Sequence, residues 1–400
     1  MRRIAFWSSA ALIAYTYVFF PVLVLVRGHL FRRPVREAPI EPRVTILIAA
    51  RNEEAALPGK LANLASLDDP RERLDVVIVS DGSTDRTVPI LREFATHGDL
   101  RLEVIELPPS GKAAALNAGA HVARGEVLVF SDANSMYARD AIRALVRRLA
   151  DPAIGGVAGN QVYGDAISAD AVGERSYWGL DRTLKEYESR AGNVIGGTGA
   201  IYAIRRELFR PVPPGVNDDF FETAGVIRQG RRLVFARDAI AVEAVATDLN
   251  AEYARKVRVV SRAMRCVAAM PDLLNPWRHG FYAIQLFSHK LLRWAMAVPL
   301  GILFLASASL SRSSRLHAMF FLAQAGAYSL ALVGIVQPRA RRLGGPLVSV
   351  PCYFMMVNAA ALRAMVDVLR GSSIDHWEVA PRPVPLVRPS MAEGPERAAA

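Results

Sequence analysis

Four acidic positions and one lysine stand where chemistry could be done: Asp81, Asp132, the adjacent pair Asp218 and Asp219, and Lys112. Asp132 closes the apolar run VLVFSD (127–132) and is followed by Ala133 and Asn134. Mg2+ binds through one or two protein carboxylates, with phosphate oxygens and water completing its shell. Asp132 can therefore hold such an ion as the only protein carboxylate. Asn134 either offers a neutral oxygen or holds a bound water, or it caps a following helix. Asp-Ala-Asn has one negative charge fewer than Asp-x-Asp, so bare metal should bind weakly and arrive with a phosphate-bearing ligand. In Asn217-Asp218-Asp219-Phe220, mutual repulsion would raise one pKa, which suits a general base. Two acids opening a helix are the plainer alternative. Lys112 follows Gly111 at a helix start, a place where anions bind well. Asp81 either addresses a ribose from the end of a strand or makes an ordinary Asp-Gly turn.

These residues need a frame that brings them together. VTILIAA (44–50), DVVIVS (75–80), RLEVIEL (101–107) and VLVFS (127–131) read as strands, and the segments between them read as helices. Helices are expected after Glu53, after Ser83 (which could cap one), over GKAAALNAGAHVA and over 138–149. Continuous β-rich runs with helical crossovers predict a parallel α/β sheet covered on both faces. TGAIYAIRR (198–206) with LVFA (233–236) predicts a mixed extension of that sheet. Ligands of such sheets lie beyond the carboxyl ends of the strands. Ala50-Arg51-Asn52-Glu53, Ser80-Asp81-Gly82-Ser83 and Ser131-Asp132-Ala133-Asn134 mark three of those ends, and so one crevice.

The remaining sequence is apolar enough for a bilayer. The chain has 400 residues, 52% of them hydrophobic. Residues 4–26 carry no charge, and 291–310, 318–336 and 346–365 are similar in character. The first stretch is long for a signal-peptide core and lacks a small-x-small cleavage site, so an uncleaved anchor is expected. Lys and Arg number 49 against 38 Asp and Glu, a net charge of +11. The basic residues cluster at membrane flanks, which argues for anionic lipid and against nucleic acid as partner. Arg27, Arg32, Arg33 and Arg36 outnumber Arg2 and Arg3, placing the segment after the first span in the cytoplasm. Cys266 and Cys352 imply no disulfide framework, and the seven histidines show no metal spacing.

In order and spacing, AARNEE, VSDGSTD, GKAAALN, SDANS and VNDDF resemble the family 2 glycosyltransferases, over roughly residues 44–262. The flanking spans resemble the membrane polysaccharide-synthase branch that includes cellulose and hyaluronan synthases. The resemblance implies a GT-A-type nucleotide-diphospho-sugar-binding domain, a Rossmann-like mixed sheet, with N- and C-terminal transmembrane helices. It implies Asp219 as catalytic base with Asp218 in support. It gives Arg51, Glu53, Asp81, Lys112, Asp132 and Arg258 to the nucleotide sugar. Trp178, Gly197 and Gly199 go to the acceptor, and Asp132 with Asn134 to Mg2+ or Mn2+. The expected layout is an anchor and basic linker (1–42), a cytoplasmic catalytic domain (43–250), interfacial amphipathic helices (251–290), a transmembrane region (291–370) and a disordered tail (371–400). The expected site of action is the inner membrane, multi-pass.

Where the branch has Gln-x-x-Arg-Trp, this chain has Arg255, Arg258 and Val259, on a stripe continued by Arg262 and Arg265. The expected reaction is inverting transfer, from a UDP-sugar above all, building or extending an exported polysaccharide with possible export partners. Two alternatives stay open: transfer of one sugar to a lipid-linked acceptor, and a silent scaffold that binds nucleotide sugar.

Overall fold

The computed structural model describes residues 1–98, 100–164, 170–244 and 249–371, with nothing stated for the side chains of 170–178 and 342. Eight strands form one sheet: β1 Val44–Ala50, β2 Leu74–Asp81, β3 Arg101–Leu107, β4 Val127–Asp132, β5 Met136–Tyr137, β6 Ile154–Tyr163, β7 Tyr202–Arg205 and β8 Arg232–Glu243. Their order is β3-β2-β1-β4-β7-β6-β8-β5. β3, β2, β1 and β4 are mutually parallel, and β7 runs antiparallel to both β4 and β6. The four expected strands thus form the parallel half. The chain reverses its direction of sheet growth between β1 and β4, where such folds place ligands.

Alternation assigns the two faces of this half. Ile46, Ile48, Val76, Ile78 and Val129 pack with Leu57, Leu61 and Leu64 of the Leu57–Ala65 helix. Leu47, Ala49, Val77, Val79 and Leu128 pack on the other face with Ala115 and Leu116 of the Lys112–Val122 helix. Every residue of β1 and β2 is buried, each aliphatic side chain contributing about 2 kcal/mol of burial. β3 is the half-exposed edge, with Arg101, Glu103 and Glu106 outward, a charge pattern that discourages further strand addition.

The mixed extension is larger than expected. β7 and β8 do not pair with each other, because β6 lies between them. β6 reads IGGVAGNQVY, whose glycines weaken its strand signal. Close packing accounts for them: a Cβ on Gly155 would come within 2.5 Å of Leu208, and one on Gly159 within 2.6 Å of Ile201. The helix expected over 138–149 begins at Ala141, since Met136 and Tyr137 pair with β8 first.

The chain forms two compact units: the sheet belongs to one of Gly28–Asp165 and Lys185–Val245, and a second gathers Met1–Arg27, Ala166–Leu184 and Ala246–Ser373. Arg2–Leu30, all but its last three residues in the second unit, and Arg315–Val336 and Gly345–Leu369 within that unit are long and apolar enough to cross a membrane. The expected span at 291–310 is instead part of a pair, Phe281–Ala295 and Ala297–Leu310, bent by 55°. Pro299 cannot donate to the carbonyl of Ala295, which explains a break at Met296. Phe6 packs against Phe320 and His317 within this unit. The tail expected to be disordered lies, beyond Gly371, outside the described residues.

Candidate active site

The ends of β1, β2 and β3 are laced into one surface. Asp81 is fully buried, and its Oδ1 accepts from the backbone N–H groups of Ser110 at 2.6 Å and Gly111 at 3.0 Å. Its Oδ2 accepts from Gly111 at 3.0 Å and lies 3.6 Å from Arg51 Nη1. Asp81 is therefore the anchor of the loop that leads into Lys112. Gly111 has φ +92°, a conformation that favours glycine. On the neighbouring loop Asn52 Oδ1 accepts from Thr84 N–H, and Glu53 N–H donates to Thr87 Oγ1. Ser83 does not cap the next helix; its hydroxyl receives Asn52 N–H. Asp85, two residues before that helix, accepts from the Thr87 and Glu54 N–H groups and so ties the helix start to the loop after β1. Partial burial opposes its charge, but these bonds prevail and hold its carboxyl below the usual range.

The centre of the site is one ammonium between two carboxylates. Lys112 Nζ lies 2.8 Å from Asp132 Oδ1 and 2.9 Å from Asp218 Oδ2. Burial works against its charge, yet Asp132 and Asp218 outweigh that and hold it well above the ordinary lysine range. Asp218 opens the Asp218–Arg228 helix, and Asp219 follows, half-buried, with Oδ1 accepting from Phe220 N–H at 2.6 Å. Asn117, five residues after Lys112 on the same helix, bonds Val212 through both amide ends at 2.8 and 3.0 Å, fixing the segment that leads to Asp218. The glycine loop closes the other side. Gly197 N–H donates to Thr223 Oγ1 at 3.1 Å, and a Cβ on Gly199 would sit 2.9 Å from Asp132 Oδ2.

Two buried networks lie beneath. Lys60, fully buried, donates to Ser131 Oγ at 2.8 Å and to the Ser135 carbonyl, over the Tyr137 ring. Ser135 donates to Glu243, which also receives Gln161 at 2.6 Å. Burial pushes Lys60 down to about 7, against the pull of Asp132 and Glu243. Behind Asp218, Tyr202 donates to Glu222, whose carboxyl burial pushes well above the usual range.

The sequence profile of glycosyl transferase family 2 matches residues 45–212. A protein of Rhizobium leguminosarum bv. trifolii named N-acetylglucosaminyltransferase is 32% identical over 125 residues, 30% of this chain and 68% of that one. The chain belongs to glycosyl transferase family 2. A beta-monoglucosyldiacylglycerol synthase of Synechocystis is 33% identical to this glycosyltransferase over 167 residues, 40% of this chain and 33% of that one. Against other curated relatives the glycosyltransferase spans 23% to 55% of their length. The solved structure of the mannosyltransferase PcManGT from Pyrobaculum calidifontis, in complex with GDP-Man and Mn2+, matches at TM-score 0.69 and 26% identity. That match covers 91% of this chain and 99% of the other, and the sheet is of the GT-A type.

In this family 2 glycosyltransferase Lys112, Asp132, Asp218, Asp219, Gly197 and Gly199 gather in one place, and Asp81 with Arg51 joins it through the Ser110–Gly111 loop that leads into Lys112. Arg258 belongs to the other unit, on the Leu249–Ala269 helix. Trp178 also belongs to it, but its side chain lies outside the described residues. Asn134 caps no helix, since β5 follows it, and its buried Nδ2 makes no hydrogen bond. Among the described residues no three His, Cys, Asp or Glu side chains converge as a metal cage.

Lys60, Glu222, Tyr202 and Asn117 were not singled out from sequence. A signal existed for two of them. Lys60 falls on the helix face of Leu57, Leu61 and Leu64, and Glu222 sits four residues after Asp218, one turn on.

Proposed function

We propose that the chain is an inverting glycosyltransferase of the membrane that takes its sugar from a nucleotide-diphospho-sugar. Asp219 accepts the proton of the acceptor hydroxyl. That oxygen bonds to the anomeric carbon as the carbon–oxygen bond to the diphosphate breaks, and the nucleoside diphosphate leaves. Asp218 steadies Asp219 and shares Lys112 with the donor side. Arg51, Glu53 and Asp81 serve the nucleoside end, Lys112 the diphosphate, Gly197 and Gly199 the close approach of the acceptor. Arg258 and Trp178 are assigned to the donor and acceptor by motif position.

Asp132 would hold a divalent ion together with diphosphate oxygens, and Asn134 would add its neutral amide oxygen or, through its buried Nδ2–H, hold a bound water beside the ion. The absence of a Cβ at Gly199 leaves the carboxylate room to do so. When bound, Mg2+ or Mn2+ supplies Lewis-acid neutralisation of the leaving diphosphate. The observation that carries the reading is the meeting of Asp132 and Asp218 on a single ammonium, with Asp219 next in sequence.

A UDP-sugar is the donor implied by the motifs, and the GDP-Man held by the Pyrobaculum calidifontis mannosyltransferase makes GDP-sugars the second candidate. The three long apolar helices support a membrane location, and the arginines that follow the first of them support an inner-membrane orientation with the sheet on the cytoplasmic side. For the product, extension of an exported polysaccharide is the first reading. Transfer of one sugar to a lipid-borne acceptor is the second, favoured by Val259 where the polymerising branch has Trp, and by the relative named for glucosyldiacylglycerol synthesis.

The test is release of nucleoside diphosphate by the purified full chain across nucleotide sugars, with and without Mg2+ or Mn2+. Asp219→Asn should bind donor as the parent does and lose about 10²-fold or more in turnover. A parent inert with every donor would sink enzymatic function and favour a binding scaffold. A discrete monosaccharide product would end the polymer reading.

A further inference from the structure

We propose that Lys112 is the resident counter-ion of the resting site, competing with the divalent ion for Asp132, so that metal enters only with a diphosphate. The proposal rests on the donor-site reading above and adds a role to the same residues. Lys112 Nζ is within 3 Å of carboxylates from two different parts of the chain, Asp132 at the end of β4 and Asp218 at a helix start. One ammonium thus neutralises the donor-side acid and ties it to the acceptor-side pair. A divalent ion meeting Asp132 Oδ1 must displace that ammonium, since two cations so close repel each other strongly.

The surroundings make the exchange one-sided. Asp132 Oδ2 lies beside the main chain at Gly199, but an ion bound there still meets the ammonium that sits 2.8 Å from Oδ1 of the same carboxylate. Asn134 adds no negative charge. Bare metal therefore faces one carboxylate that is already paired. The main chain at Lys112 is pinned through Asp81 to Ser110 and Gly111, but its four-carbon stem can swing. A diphosphate supplies what a bare ion lacks: anionic oxygens for the ammonium released from Asp132, and further ligands for the metal.

The experiment measures Mn2+ binding to the purified full chain by the loss of the free Mn2+ electron paramagnetic resonance signal, without nucleotide and with UDP or GDP. In the parent and in Lys112→Arg, Mn2+ alone should bind at least tenfold more weakly than with the better nucleotide. In Lys112→Met, Mn2+ alone should bind at least tenfold more tightly than in the parent, with thermal unfolding confirming a folded protein. Lys112→Gln decides the same point should the methionine variant not fold. Parent-like bare-metal affinity in the folded variants overturns the proposal, as does tight bare-metal binding by the parent. Failure of UDP and GDP to promote Mn2+ binding, with the gain still seen in Lys112→Met, removes the donor reading and leaves the resident counter-ion standing.

Discussion

Tyr202 donates its hydroxyl to Glu222 in a fully buried pair one helical turn behind Asp218. Burial is the main reason the Glu222 carboxyl lies well above its usual range; the Tyr202 bond and Lys112 oppose this, Asp218 and Asp219 reinforce it. A carboxyl raised on folding contributes stability that is complete below its unfolded pKa and fades as pH rises through its folded one. Glu222→Gln keeps the shape and the acceptor for Tyr202 but cannot ionise. Its melting temperature relative to the parent should therefore climb between about pH 6 and about pH 9. A constant difference across that range contradicts a neutral Glu222.

Lys60 should show the opposite slope. Its folded value, down to about 7, lies below that of a free lysine. Between those two values the unfolded chain holds a proton the folded one lacks, so the parent gains stability as pH rises through that window, on the order of several kcal/mol in full. Lys60→Met has no such gain. Its stability relative to the parent should be best near neutral pH and fall by about pH 9. Thermal unfolding at two pH values reads the sign directly.

What sequence showed of this molecule divides along physical lines. β1, β2 and β4 were legible because they are uniformly apolar runs, each ended by a polar cluster, and burial on both faces leaves no other pattern. β6 was not, because its glycines answer to Leu208 and Ile201, residues some 40 to 50 positions away. The acids of the site were legible as residue types, but not their common partner. Nothing local in GKAAALN says that Lys112 faces Asp132 and Asp218 together, or that Asn117 braces Val212. Asp81 shows the same limit: its place at a strand end was readable, whereas its bonds to Ser110 and Gly111 depend on β2 lying beside β3.

Gly199→Ala tests the fit of the glycine loop around Asp132. The new methyl would press on Oδ2 at 2.9 Å, and displacing a reacting group by about 1 Å can cost about 10²-fold in rate. Turnover should fall about tenfold or more, while the melting temperature changes little. Gly192→Ala is the control, since a Cβ there meets nothing within 4 Å. Equal activity in the two variants would mean that Asp132 does not need its present position.

Asp81→Asn tests whether this buried acid organises the donor site or only fills it. Both oxygens accept backbone N–H groups. An asparagine turns one of them into a donor facing a donor, at a cost of about 1–3 kcal/mol. The loop it anchors carries Lys112, so donor affinity should drop along with stability, by about tenfold for each 1.4 kcal/mol lost. Ser110→Ala, which retains the backbone N–H, should leave both unchanged. If Asp81→Asn lowers the melting temperature but nucleotide-sugar binding by calorimetry stays at the parent value, Asp81 acts only in folding, and the donor's nucleoside end must be held by other groups.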